Sequence, residues 1–104
     1  MAATLEASAE LAELPSFQRR VRAAMISAAK DVAAEAIDPQ DPQRSQQRRG
    51  LALNVFADVE KYTHVFSIMV STNPVITATS IDGDLQFTVN SVWDSIAGVP
   101  PAAA

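Results

Sequence analysis

Apolar positions recur three and four residues apart through four stretches of this chain. In the first, Phe17, Val21, Ala24, Met25, Ala28 and Val32 fall on one face of a helix. Ser16 stands where a hydroxyl can cap the opening turn. Asp38-Pro39 predicts an end near Ile37, since the residue before a proline is steered away from the helical region. Before this helix, residues 4–14 are rich in Ala, Glu and Leu, but Leu5, Leu11 and Leu14 make no clean stripe, and Pro15 closes the segment. It reads as an arm that orders against a neighbour.

The second stretch follows a polar connection, "DPQDPQRSQQRRG". Asp41 is a cap, and Pro42 suits the first helical position, where its missing N–H has no intrahelical partner to lose. Leu51, Ala52, Val55 and Phe56 then predict the buried side. Gly50 weakens this helix by about 1 kcal/mol relative to alanine, and the helix can break there. Asp58 caps the third helix, residues 59–71, where Tyr62, Val65, Phe66, Met69 and Val70 repeat at helical spacing. Asn73-Pro74 ends it and can begin a short helix through Val75 and Ile76. "TATSIDGD" then reads as a loop, with Asp82-Gly83 a turn and Asp84 a cap.

The fourth stretch, "DGDLQFTVNSVWDSIAGVPP", holds the single Trp and admits two readings. A strand accounts for Leu85, Phe87 and Val89 and leaves Trp93 and Ile96 without a role. A helix from Asp84 puts Leu85, Val89, Val92, Trp93 and Ile96 on one face. It ends at Gly98 in a left-handed residue, with Val99 as the accompanying apolar contact and Pro100-Pro101 as a stop. The helix is the better account, and Phe87 is its misfit, pointing off the stripe: either the first turn is irregular or that ring packs on a partner.

These elements predict an all-α fold, a small bundle of about four helices over residues 16–99, with an arm (1–15) and an irregular tail (100–104). Tyr62, Phe66, Trp93 and Ile96 are its expected core anchors. At 104 residues the chain is one domain. It should bury roughly 65% of its extended-chain surface, enough to fold alone with modest reserve.

Composition narrows the chemistry. There is no cysteine, so disulfide and thiolate chemistry are excluded. No apolar run approaches the roughly 20 residues of a membrane span, so no membrane partner is expected. The acidic "MAATLEASAELAELP" lacks the basic and continuous apolar regions of a secretory signal, which points to a chain made in the cytosol and used or assembled there. A net charge of −4 argues against a dedicated nucleic-acid binder. The charge is uneven: Glu6, Glu10 and Glu13 lead, and Arg19, Arg20, Arg22, Lys30, Arg44, Arg48 and Arg49 follow. Three arginines in the first turns of the first helix oppose its dipole, at a few tenths of a kcal/mol each, and are expected to be solvated.

Candidate sites are few. His64, the single histidine, sits off the apolar face with no recognisable nucleophile or carboxylate partner, so it is no catalytic base. Asp82 and Asp84 stop short of a calcium loop. Three glycines make no phosphate loop, so no catalytic, cofactor or metal site is expected, and the chain is read as no enzyme. Arg44, Arg48 and Arg49 form the strongest cluster. Arg44 and Arg48 share a helix face, and the guanidinium fork suits phosphate or an acidic protein surface as well as plain solvation. A helix-turn-helix reader of DNA would need base-reading side chains on the next helix, which begins "DVEKY" and is largely apolar.

Three blocks, "SFQRRVRAAMISAAKDVAAEA", "RRGLALNVFADVEKYTHVFSIMVSTNPVI" and "GDLQFTVNSVWDSIAGV", together resemble small virion structural proteins of tailed bacteriophages over residues 16–99. "YTHVFSIMVSTNPVI" and "FTVNSVWDSIAGV" are the most specific parts. The resemblance implies a non-enzymatic head–tail connector (adaptor) subunit, assembled in the host cytoplasm into a ring below the portal. Its partners would be other copies of itself, the portal, and neck or capsid proteins, with passive contact to genomic DNA sliding past acidic surfaces. A minor capsid or decoration protein on the shell is the alternative. A cytosolic nucleic-acid-binding or regulatory adaptor is a third reading, with the arginine cluster as its support.

Overall fold

A computed structural model of the chain describes residues 11–73 and 81–98, with side chains in the last helix from Leu85 onward. Four helices dominate: α1 Pro15–Ala34, α2 Pro42–Ala57, α3 Val59–Ser71 and α4 Ile81–Ile96. No strand occurs among the described residues, so Leu85, Phe87 and Val89 belong to a helix. The fold is all-α.

The long helix α1 is the axis of the bundle. Each of the other helices packs on it, α3 and α4 also pack on each other, and α2 lies largely against α1 alone. All six apolar positions expected on α1 are buried, and Ala29 joins them. The helix begins two residues earlier than a Ser16 cap would have it. Pro15 needs no N–H partner in the first turn, Leu14 takes the cap position with no side-chain bond, and Ser16 is exposed inside the turn. Gln18 reaches back instead, its Nε2 donating to the Ala12 carbonyl at 2.8 Å. Residues 11–13 are helical, with Ala12 buried and Leu11 packed on the core, so the packed unit extends back beyond residue 16. The rest of the expected arm lies outside the described residues.

α1 stops at Ala34, short of Ile37, because Glu35 is already extended, with ψ 140°. Competing bonds explain the early stop. Arg49 donates to the Glu35 carbonyl, the Asp38 N–H donates to Ser45 Oγ at 3.0 Å, and Asp38 Oδ1 accepts the Gln40 N–H at 2.9 Å. The connection is thereby folded towards α2.

Asp41 caps α2 and Asp58 caps α3, each carboxylate accepting the N–H three residues on, from Arg44 and Lys61, both at 3.2 Å. α2 runs through Gly50 without a break. Leu51, Ala52 and Val55 are buried as expected, but Phe56 is not: it is 44% exposed. Helical spacing cannot tell whether a face is covered, and α1 covers only the side centred on Leu51, Ala52 and Val55.

On α3 the buried face is turned from the expected stripe. Phe66 and Val70 are buried with Thr63, Ser67 and Ser71, while Tyr62, Val65 and Met69 are half-buried. The three small hydroxyl residues repeat every four positions and let a neighbouring helix approach closely, which puts the bulkier residues at the edge. Thr63 and Ser71 return their hydroxyls to the helix carbonyls of Val59 and Ile68, at 2.7 and 2.9 Å.

α4 begins at Ile81, one turn before Asp84. Asp82-Gly83 is therefore no loop turn, and Asp84 is inside the helix and not its cap. Two acids in a first turn suit the helix dipole, which offsets part of the roughly 1 kcal/mol that one glycine costs there. Leu85, Thr88, Val89, Val92 and Trp93 are buried. Of the four anchors expected, Phe66 and Trp93 are fully buried, while Tyr62 and Ile96 pack on the core from its edge. The Phe66 and Trp93 rings meet at 5.7 Å between centroids, tilted by 54°. Gly98 closes the helix at φ 73°, a left-handed conformation that glycine adopts without strain, and its N–H reaches the Ser95 carbonyl at 3.3 Å. The short helix expected through Val75 and Ile76, and the tail with Val99, lie outside the described residues.

Candidate functional site

The arginine cluster is tied into the fold. Asp94, near the end of α4, accepts Arg44 Nη2 on Oδ2 at 2.9 Å and Arg48 Nη1 on Oδ1. Arg48 also faces Glu35 Oε1 across 3.4 Å, and Arg49 holds the Glu35 backbone carbonyl. Arg44 and Arg48 share a face of α2 because they stand one turn apart, and that face looks towards the ends of α1 and α4. Asp94 thus ties α4 to two arginines of α2, and the Glu35 contacts of Arg48 and Arg49 bring in the end of α1. Each pair is part-exposed, so water and salt screen it, and the network contributes on the order of 1 kcal/mol. The spacing that suggests a phosphate contact serves equally to hold Asp94. Asp94 lies 50 positions from Arg44, and no sequence signal links them.

His64 is exposed on α3 and lines an open groove of about 320 Å³ between α1 and α3. Pro15, Gln18, Arg19, Arg22, Glu60 and Thr63 complete its wall. Two guanidiniums against one carboxylate make it mildly basic. The Thr63 hydroxyl is already bonded to its own helix, so His64 has no activated nucleophile beside it.

A second groove, about 460 Å³, runs between the later part of α1 and α4. Asp31, Glu35 and Asp94 against Arg48 make it acidic, and Phe87 stands at its edge, 68% exposed. Phe87 is therefore the misfit that the helical spacing predicts. No cluster of three or more His, Asp or Glu side chains suited to a metal occurs among the described residues. No helix is long and apolar enough to cross a membrane.

The most unusual surface is one that reasoning about charged residues overlooks. From Gly50 to Ala57, α2 carries no ionisable side chain on any side. Leu53 is 60% exposed there, beside Phe56. The signal was legible as an eight-residue run, "GLALNVFA", too apolar for a helix with one face in water.

Compared with protein families, with curated proteins and with solved structures, the chain matches none of them.

Proposed function

We propose that this chain is a non-enzymatic subunit of a larger assembly, and specifically a head–tail connector (adaptor) protein of a tailed bacteriophage, set in a ring below the portal. The phage setting rests on the likeness of the three sequence blocks to small virion proteins. The assembly reading rests on one structural observation. Two of the four phenylalanines, Phe56 and Phe87, stand exposed with Leu53 and Ile68 on a chain poor in aromatic residues. Leu53 and Phe56 share the uncharged segment 50–57 of α2, and exposed large apolar side chains of this kind favour a surface that a partner covers. Symmetric assemblies multiply weak contacts of this kind.

The nucleic-acid reading is less favoured. Arg44, Arg48 and Arg49, its support, have their guanidiniums engaged by Asp94 and Glu35. Quantitative mass spectrometry of purified virions is the test. The connector reading expects about one ring's worth of copies per particle. A far larger number would make it a decoration protein on the shell, and absence from particles would sink both.

A further inference from the structure

We infer that the free protein pairs with a second copy of itself through the outer face of α2, two helices lying antiparallel across a two-fold axis at Leu53. The face is opposite the one that packs on α1. At 100° per residue, Leu51, Ala52 and Val55 point to α1, which places Gln46, Gly50, Leu53 and Ala57 along the outward line, with Phe56 and Arg49 on one flank.

Two observations favour a second copy as the occupant. The first is electrostatic. A two-fold contact brings a surface against itself, so a charged patch repels its own image. Residues 50–57 have no charge to repel. The second is shape. A Cβ added to Gly50 would meet nothing within 4 Å, so packing inside the chain does not require glycine there. Phe56 protrudes three positions beyond Leu53, and Gly50 is vacant three positions before it. Antiparallel pairing about Leu53 sets each Phe56 over the other copy's Gly50, a knob and a hole on the same helix.

The contact deepens the assembly reading and does not depend on the phage setting. A one-directional ring wall contains no such dyad, so the pair is a state of the free subunit, ahead of the ring.

The chain has no cysteine, which makes a single engineered thiol an unambiguous probe. Leu53→Cys should give a disulfide dimer under mild oxidation, while Ala33→Cys, on the exposed side of α1, should stay monomeric. By sedimentation the unmodified chain should show a concentration-dependent dimer. Leu53→Glu should weaken it about 30-fold or more, the loss expected of a central anchor, with helix content unchanged. Gly50→Ala should also weaken the dimer while raising the monomer's melting temperature, a pair of opposite signs that simple misfolding cannot produce. A wild-type monomer at millimolar concentration, or a dimer indifferent to Leu53→Glu, overturns the inference and assigns the face to an unlike partner. Dimers in solution with no copies in virions would sink the phage setting alone; copies in virions with a monomer in solution would sink the pair alone.

Discussion

α2 and α4 are both sixteen residues long, and the bundle treats them differently. α4 lies between α1 and α3 and buries Leu85, Thr88, Val89, Val92 and Trp93. α2 lies chiefly on α1, touches α3 and α4 more lightly, and buries three residues, the largest of them Leu51. Its first half is also held by arginines bonded to Asp94 and Glu35, and its second half carries no charge. The lesson concerns where cohesion comes from. α4 is fixed by the larger set of apolar side chains removed from water, at about 25 cal/mol per Å², and α2 by a smaller buried face supplemented with part-exposed ion pairs that water competes for. One helix turns Trp93 and its neighbours into the core; the other keeps Leu53 and Phe56 exposed at the rim.

The sharpest way to break this contrast is Trp93→Ala. The indole is fully buried against Phe66, so its loss should cost about 3–5 kcal/mol in denaturant unfolding, enough to unfold a domain of this size or nearly so. Leu51→Ala on α2 should cost about 2 kcal/mol, the low end of such truncations, because a helix at the rim, packed chiefly on α1, can settle into the gap. Equal costs would mean that α2 belongs to the core as fully as α4.

The ion network comes next. Asp94→Ala strips the bridging carboxylate from Arg44 and Arg48 and should cost about 1 kcal/mol, with the loss shrinking as salt is raised. A double-mutant cycle with Arg48→Ala should return a coupling of about 0.5 kcal/mol or more; no coupling would make the clamp a surface coincidence. Gly50→Ala is expected to stabilise the monomer by roughly 0.5–1 kcal/mol, since the helix gains propensity and the new methyl meets nothing. The smallest effect concerns one of the two buried polar atoms on α4 that lack a partner among the described residues, Thr88 Oγ1 and Trp93 Nε1. Thr88 Oγ1 is buried with no partner found, so Thr88→Val should be neutral or stabilising by up to about 1 kcal/mol in thermal melts.

Much of the fold is written locally and can be read so. Asp41, Asp58 and Gly98 act within one turn of their own positions, and each lies where its type and neighbours put it. The apolar stripes of α1 and α4 are legible for the same reason. Reading fails where the deciding partner is distant or absent. α1 ends early because Arg49 and Ser45, beyond the next turn, take its backbone groups. The arginine cluster looks like a ligand site because Asp94 is far away in the chain. Phe56 looks buried because periodicity reports a face and not what covers it, and α3 turns because three small hydroxyl residues pack closer than a stripe of large ones. The same silence about partners keeps function at the level of resemblance and surface.

Amide hydrogen exchange at two protein concentrations tests the contrast between the helices most directly. Amides of Val89 to Trp93 should exchange only by global unfolding and be the slower set in the dilute sample, while those of 50–57 should open locally there; in the concentrated sample both sets should gain protection, because pairing stabilises only the folded chain. Equal and concentration-independent protection of the two segments would contradict the account, since α2 would then be held by its own chain and its outer face would have no second copy to meet.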